Sequence, residues 1–322
     1  MGPVVPRHVP RRAAAQAGRW LITGLLAAAA GTAPAAVSFS TVFDDPGAQY
    51  SAYYADITAA VASAGSAWVS ALGYDTSTTI TVQVGFDAIP TANGRSATSH
   101  FVGTWNGQDL FEMSAATKLK TGLDVNGAAP DVEFRFGING YLQDELWFGA
   151  GGVVPADKTD AYSVVLHEFG HAFSFNGWRD GSTGALPGNY LSTFDRWVTL
   201  DPAAPGGPTL YFTGPQAMAV YGGPVPLTFG NYAHVGNGDL APGGVLPNGR
   251  EGFQLLSAAN PVLMNGVVYY RGTRYDIDPL ALAITADAGL PALAPIPEPA
   301  TAMLWLLGLA GLAGARHARR RG

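Results

Sequence analysis

The 322-residue chain contains no cysteine. Disulfides and thiolate-held metals are therefore excluded, and the fold must rest on its apolar core. At 48% hydrophobic residues over this length, there is ample material for one. Charge is scarce, at 13% of residues, and the chain has only six His and six Glu. A site built from imidazoles has few ways to be assembled from so small a stock. Long apolar runs are confined to the two ends. No internal repeat or low-complexity linker divides the middle.

The ends read as addresses. Arg7, Arg11, Arg12 and Arg19 precede the short apolar run Trp20–Gly31, and small residues follow at Ala33–Ala35. That order predicts a signal peptide over residues 1–35, the alternative being an N-terminal membrane anchor. At the other end, "PEP" at Pro297–Pro299 is followed by an apolar stretch, Ala300–Ala315. Arg316, Arg319, Arg320 and Arg321 then close the chain. The three ordered parts resemble the PEP-CTERM sorting tail of Gram-negative bacteria that make exopolysaccharide. The resemblance implies a tail over residues 295–322 whose apolar helix contacts the inner membrane until an exosortase-type sorting enzyme processes it. An ordinary C-terminal anchor is the alternative.

The body between them, residues 36–294, has ten Lys and Arg against 23 Asp and Glu, a net charge of −13. So acidic a body repels nucleic acid and anionic surfaces and suits an exported domain in the periplasm, at the cell surface or in the matrix. Asp44 with Asp45, and Asp276 with Asp278, offer carboxylates for calcium, but no loop has the spacing of a calcium motif.

Ile57, Val61, Ala64, Trp68 and Ala71 recur at helical spacing and predict a helix from about Ala52 to Leu72. Alternation in Thr78–Phe86, and of Val132, Phe134, Phe136 and Ile138, predicts two strands. Asp160 is placed to cap a helix running to about Phe175, with Asn176-Gly177 as its stop. Dense Gly and Pro after Gly177 predict a loop-rich second half. The expected class is α+β, a twisted sheet with packed helices above a cleft.

The second predicted helix carries "LHEFGHAFSF". His167 and His171, four residues apart, share a helix face and can bind one metal through two imidazoles. Glu168 beside them is placed to take a proton from a water acidified by that metal. Chance would give this pattern in about two of a thousand chains of such composition. A catalytic zinc commonly has three protein ligands. With His8 and His317 in the terminal segments, only His100 and His234 remain as imidazoles.

"LHEFGHAFSF" resembles the "HEIGHALGF" form of metzincin-type zinc metalloproteases, from which it departs at Ser174 and Gly177. In the leishmanolysin-like subgroup a long insertion precedes the third histidine. On that layout His234, 63 residues after His171, is the third ligand, and Met264 in "NPVLMNG" matches the methionine of a turn beneath the metal. "IDPLALAITADAGL" corresponds to the family's closing helix. The resemblance covers about Asp131–Leu290. It implies a zincin-type fold, a Zn2+ cofactor and hydrolysis of peptide or protein substrates, with Glu168 as base.

Asp195 is the runner-up third ligand, or else orients a ligand from behind. Tyr269 and Tyr270 are candidates to hydrogen-bond an oxyanion. His100 reads as structural, and the aromatics as packing. Two rival functions remain: a surface or exopolysaccharide-matrix protein whose metal site is structural or decayed, and a zinc hydrolase of non-peptide bonds.

Overall fold

A computed structural model describes residues 37–149, 151–201, 209–228, 230–236, 262–266 and 271–293. All belong to the second of two units into which the chain divides, Pro34–Gly322. The signal segment, the sorting tail, Tyr269 and Tyr270 lie outside the described residues.

Strand β1 (Ser38–Asp44) leads through a 3-10 turn into helix α1 (Tyr54–Leu72), which returns the chain as β2 (Thr79–Asp87), parallel to β1. Strand β3 (Ala92–Ser96) and the hairpin of β4 (Ser99–Trp105) and β5 (Gln108–Met113) follow. Then come α2 (Ser114–Thr121) and β6 (Val132–Gly137). A π-turn (Tyr141–Glu145) and two short paired strands, β7 (Leu146–Trp147) and β8 (Thr159–Asp160), precede helix α3 (Ala161–Phe173). The second half holds β9 (Tyr190–Ser192), β10 (Val198–Asp201), β11 (Thr209–Phe212), α4 (Pro215–Tyr221), β12 (Val225–Thr228), β13 (Asn231–Val235) and α5 (Pro279–Asp287). The class is mixed α+β, with several sheets and few helices.

The main sheet has the order β1-β2-β6-β3, with β3 antiparallel at its edge. Ile80, Val82 and Val84 of β2, and Val132, Phe134 and Phe136 of β6, are buried at every second position. Helix α1 turns Ile57, Val61, Ala64, Trp68 and Leu72 into the same core. The Trp68 indole donates to the Leu166 carbonyl at 2.8 Å and meets Phe173 edge-on, which fixes α1 against α3. Phe169 sits edge-on to both Phe39 and Phe134, at 5.2 and 4.9 Å, and holds α3 to the sheet.

The described part of the second half is less irregular than its Gly and Pro content predicts. β10, β11, β12 and β13 form an antiparallel sheet of their own. Gly222 and Gly230 stand at its turns, where φ is positive.

A buried ion pair ties α2 to the main sheet. Lys118 donates at 2.8 Å to both Asp124 and Asp131, and Asp131 also accepts the Thr81 N–H at 2.7 Å. The Asp131 side chain is 1% exposed and Lys118 10%. Removing Lys118 leaves the Asp131 charge buried and unpaired, at a cost of about 3–5 kcal/mol, whereas Lys118 without Asp131 would keep Asp124. Lys118→Met should therefore lower the urea-unfolding free energy by about that amount, and Lys118→Met with Asp131→Leu should recover most of it. A loss below about 1 kcal/mol for the single variant would show that the pair is not structural.

Candidate metal centre

Helix α3 begins where Asp160 accepts the Ser163 N–H, with Arg274 bonded to the same carboxylate. Thirteen residues on, it ends at Ser174, earlier than the Asn176-Gly177 stop that the sequence suggests. Ser174 has φ −154°, so the exit requires no left-handed residue and hence no glycine. Its buried hydroxyl reaches Thr285 on α5 at 2.8 Å. Serine in the glycine position thus joins the motif helix to the closing helix.

His167 and His171 project from one face of α3. Strand β13 brings His234 to them across 63 residues of sequence. The three Nε2 atoms stand 3.0 Å (His167–His171), 3.1 Å (His167–His234) and 2.9 Å (His171–His234) apart. The Nδ1 atoms of His167 and His171 each lie 2.7 Å from a backbone carbonyl, of Leu263 and Phe175. A carbonyl only accepts, so these Nδ1 atoms carry the protons and the Nε2 atoms present lone pairs to one another. His234 has the Asn231 backbone as its hydrogen-bond partner, which leaves its Nε2 to face the other two. Burial pushes His167 down to about 3 and His171 to about 4, and holds His234 well below its ordinary value. All three rings are neutral at neutral pH, the form that ligates metal.

Lone pairs converging at this distance repel unless a cation lies between them. Ligands of a tetrahedral zinc at ~2.0–2.1 Å stand ~3.3 Å apart, within a few tenths of an ångström of the separations here. The donor set therefore fits a divalent zinc-type ion. Among the described residues no fourth His, Asp or Glu joins the group.

The turn at Val262–Gly266 supports the cluster from behind. The Met264 carbonyl accepts the Val235 N–H at 2.8 Å, which anchors the residue after His234. The Leu263 N–H is taken by Asp278, whose other oxygen caps α5. Met264 is fully buried, and its sulfur packs so closely on α3 that a Cβ at Gly170 would lie 2.4 Å from it. Any larger residue at Gly170 would require the Met264 side chain to shift.

Glu168 is buried beside the rings and accepts the Gly94 N–H of β3. Desolvation pushes its carboxyl up to about 8 against that hydrogen bond. A Cβ on Gly94 would meet the Glu168 Cβ at 2.5 Å, so the edge strand passes at glycine distance. The residues border a cleft of about 880 Å³, walled by β3, the π-turn, α3 and β13. From the π-turn Tyr141 also faces this space, a residue the sequence reading missed. Nothing in its spacing marks it, and only the fold carries it across from the main sheet.

Other candidates fall elsewhere. Asp195 is outside the histidine group: its carboxylate accepts the Trp178 N–H and the Ser192 hydroxyl, both at 2.9 Å, and faces Arg179. It fixes the segment leaving α3. His100 lies on β4, 3.4 Å from the Thr117 hydroxyl. The carboxylates considered for calcium form no ligand group among the described residues. Asp44 pairs with Arg135, and Asp45 accepts from the Tyr50 N–H and the Tyr54 hydroxyl.

The tail is the part of the chain that known proteins illuminate. Residues 295–321 match the PEP-CTERM protein-sorting motif. The motif implies an exported protein processed at the membrane by an exosortase-type enzyme. No curated protein and no solved structure matches the chain. Among the described residues no helix is long and apolar enough to cross a membrane, and the tail's apolar stretch lies outside them.

Stripped of metal and titrated with Zn2+, the protein should bind one equivalent. His234→Ala should weaken binding by more than about 100-fold, since loss of a ligand exceeds the 10–100-fold typical of an outer contact. Asp195→Ala should keep the affinity within about threefold while lowering the melting temperature. The reverse ranking, read by calorimetric titration, would return Asp195 to the ligand set.

Proposed function

We propose that the protein is an exported zinc-dependent metalloendopeptidase of zincin-type architecture. The observation that carries this reading is the convergence of three Nε2 lone pairs beside the buried Glu168 in an open cleft. His167, His171 and His234 would hold the ion, leaving its fourth position to solvent or substrate, as a catalytic rather than a closed structural site requires. When bound, zinc would supply Lewis-acid polarisation of a carbonyl and acidify water toward a pKa of ~7.

The rest falls to this chain's own residues. Glu168 takes the proton from the attacking water and passes it to the departing amine. Its desolvated surroundings make the carboxylate a stronger base than a solvated one, and a cation at the histidines would draw its pKa back down from about 8. Strand β3 favours a polypeptide substrate. It pairs with β6 on one side and borders the cleft on the other. An extended peptide can add to such an edge through backbone hydrogen bonds, which a compact non-peptide substrate cannot do.

Glu168→Gln should keep zinc affinity and fold while lowering kcat/KM on casein-type substrates by about 10²–10⁴-fold. A chelator should abolish wild-type cleavage and added zinc restore it. An enzyme that keeps a tenth of its rate without the carboxylate would need another base.

A further inference from the structure

We propose that the Tyr141 hydroxyl is a further catalytic group, an oxyanion donor that the π-turn holds at the cleft Glu168 also lines. The proposal rests on the hydrolytic reading of the site and adds to it a residue outside the HExxH helix and the Met264 turn.

Three observations carry it. First, Tyr141 borders the same cleft as His167, Glu168, His171 and His234. Of the two carboxylates that act on its hydroxyl, Glu168 acts more strongly than Glu145. Second, that hydroxyl makes no hydrogen bond among the described residues, although the ring is partly buried. A phenol so placed ordinarily finds a partner. Here the space before it is the cleft, where a substrate oxygen would stand. Third, the turn is built to keep Tyr141 still. The Glu145 N–H reaches back to the Gly140 carbonyl at 3.2 Å, an i to i+5 bond, and Gly140 takes φ 88° to begin the turn. Such single π-turns concentrate at functional sites.

The far end of the turn is clamped. Glu145 accepts from the Thr159 hydroxyl at 2.6 Å and from the Arg271 guanidinium, Nε at 2.7 Å. Lys158 donates to the Asp144 carbonyl. Thr159 directly precedes Asp160, the cap of α3. The tyrosine and the metal helix are thus fixed to one another through that short segment, and Leu142 is buried beneath it. A donor held in this way costs little reorganisation when charge develops.

Burial and the neighbouring carboxylates raise the phenol above its ordinary value, so it keeps its proton at neutral pH and donates. As water adds to the scissile carbonyl, the C–O π electrons move to oxygen, and the Tyr141 O–H hydrogen-bonds that oxygen. When the C–N bond breaks the carbonyl re-forms, the amine leaves with the proton from Glu168, and the phenol retains its own throughout.

The test compares wild-type protein with Tyr141→Phe, both zinc-loaded, by calorimetric binding of a peptidyl phosphonate and a peptidyl thiol. The phosphonate presents the tetrahedral oxygens of the transition state, whereas the thiol engages the metal without an oxyanion. Tyr141→Phe should weaken phosphonate binding by about 10²–10³-fold and leave thiol binding unchanged. Kcat should fall by a similar factor with little change in KM. Equal phosphonate affinity in the two proteins, equal loss for both ligands, or no phosphonate binding by zinc-loaded wild type would overturn the proposal. A wild-type protein that shows the phosphonate difference but cleaves no peptide would sink the protease reading and leave the oxyanion role standing.

Discussion

The arrangement depends on two imidazole N–H groups finding backbone carbonyls outside their own helix turn. Leu263 supplies one for His167 and Phe175 one for His171. Each bond fixes a tautomer and a ring angle, and so aims an Nε2 lone pair. The Leu263 carbonyl comes from a segment 96 residues away in sequence. The second half of the fold must therefore be in place for the imidazoles of α3 to be aimed. Asp278 on the Leu263 N–H, Val235 on the Met264 carbonyl and Thr285 on Ser174 are three bonds that put it there. The closing helix α5 contributes to two of them.

Period and punctuation were enough to read the strongly buried elements. Helix α1, β2, β6 and α3 lie within a few residues of where the apolar pattern puts them, because each presents one face to the core. Strand β1 escaped that reading, since its burial alternates only between exposed and half-buried. Strand β3, "ANGRS", has no β-branched residue and a glycine at its centre, which ordinarily argues against a strand. It is a strand because β6 templates it, and its glycine is there because Glu168 passes too close for any Cβ.

The site divides in the same way. The i, i+4 spacing alone puts His167 and His171 on one face. The placement of His234 beside them is a tertiary fact, which scarcity of histidine narrowed and the resemblance suggested. Tyr141 had no such advantage, as one tyrosine among thirteen. What distinguishes it is an unpaired hydroxyl in a particular cleft, which no local pattern encodes. Ser174 raised a difficulty that the backbone removes, because the chain turns there without positive φ.

A strongly acidic body poses the question of which carboxylate is chemically free. Asp131 is held by Lys118 and the Thr81 N–H, Asp160 by Arg274 and the Ser163 N–H, and Glu112 by Lys120 and the Thr117 hydroxyl. Asp195 faces Arg179 and binds the Trp178 N–H, while Asp287 takes the N–H groups of Gln216 and Ala217 at the start of α4. Each of these has its charge balanced by a cation or by more than one donor, which is how a buried carboxylate becomes tolerable. Glu168 has the single N–H of Gly94 and no cation among the described residues. Without an ion its burial favours the protonated form, and a positive charge at the histidines beside it would stabilise the carboxylate. Among the described buried carboxylates Glu168 is thus the one held by neither a cation nor a second donor, which leaves it able to take a proton beside the histidines.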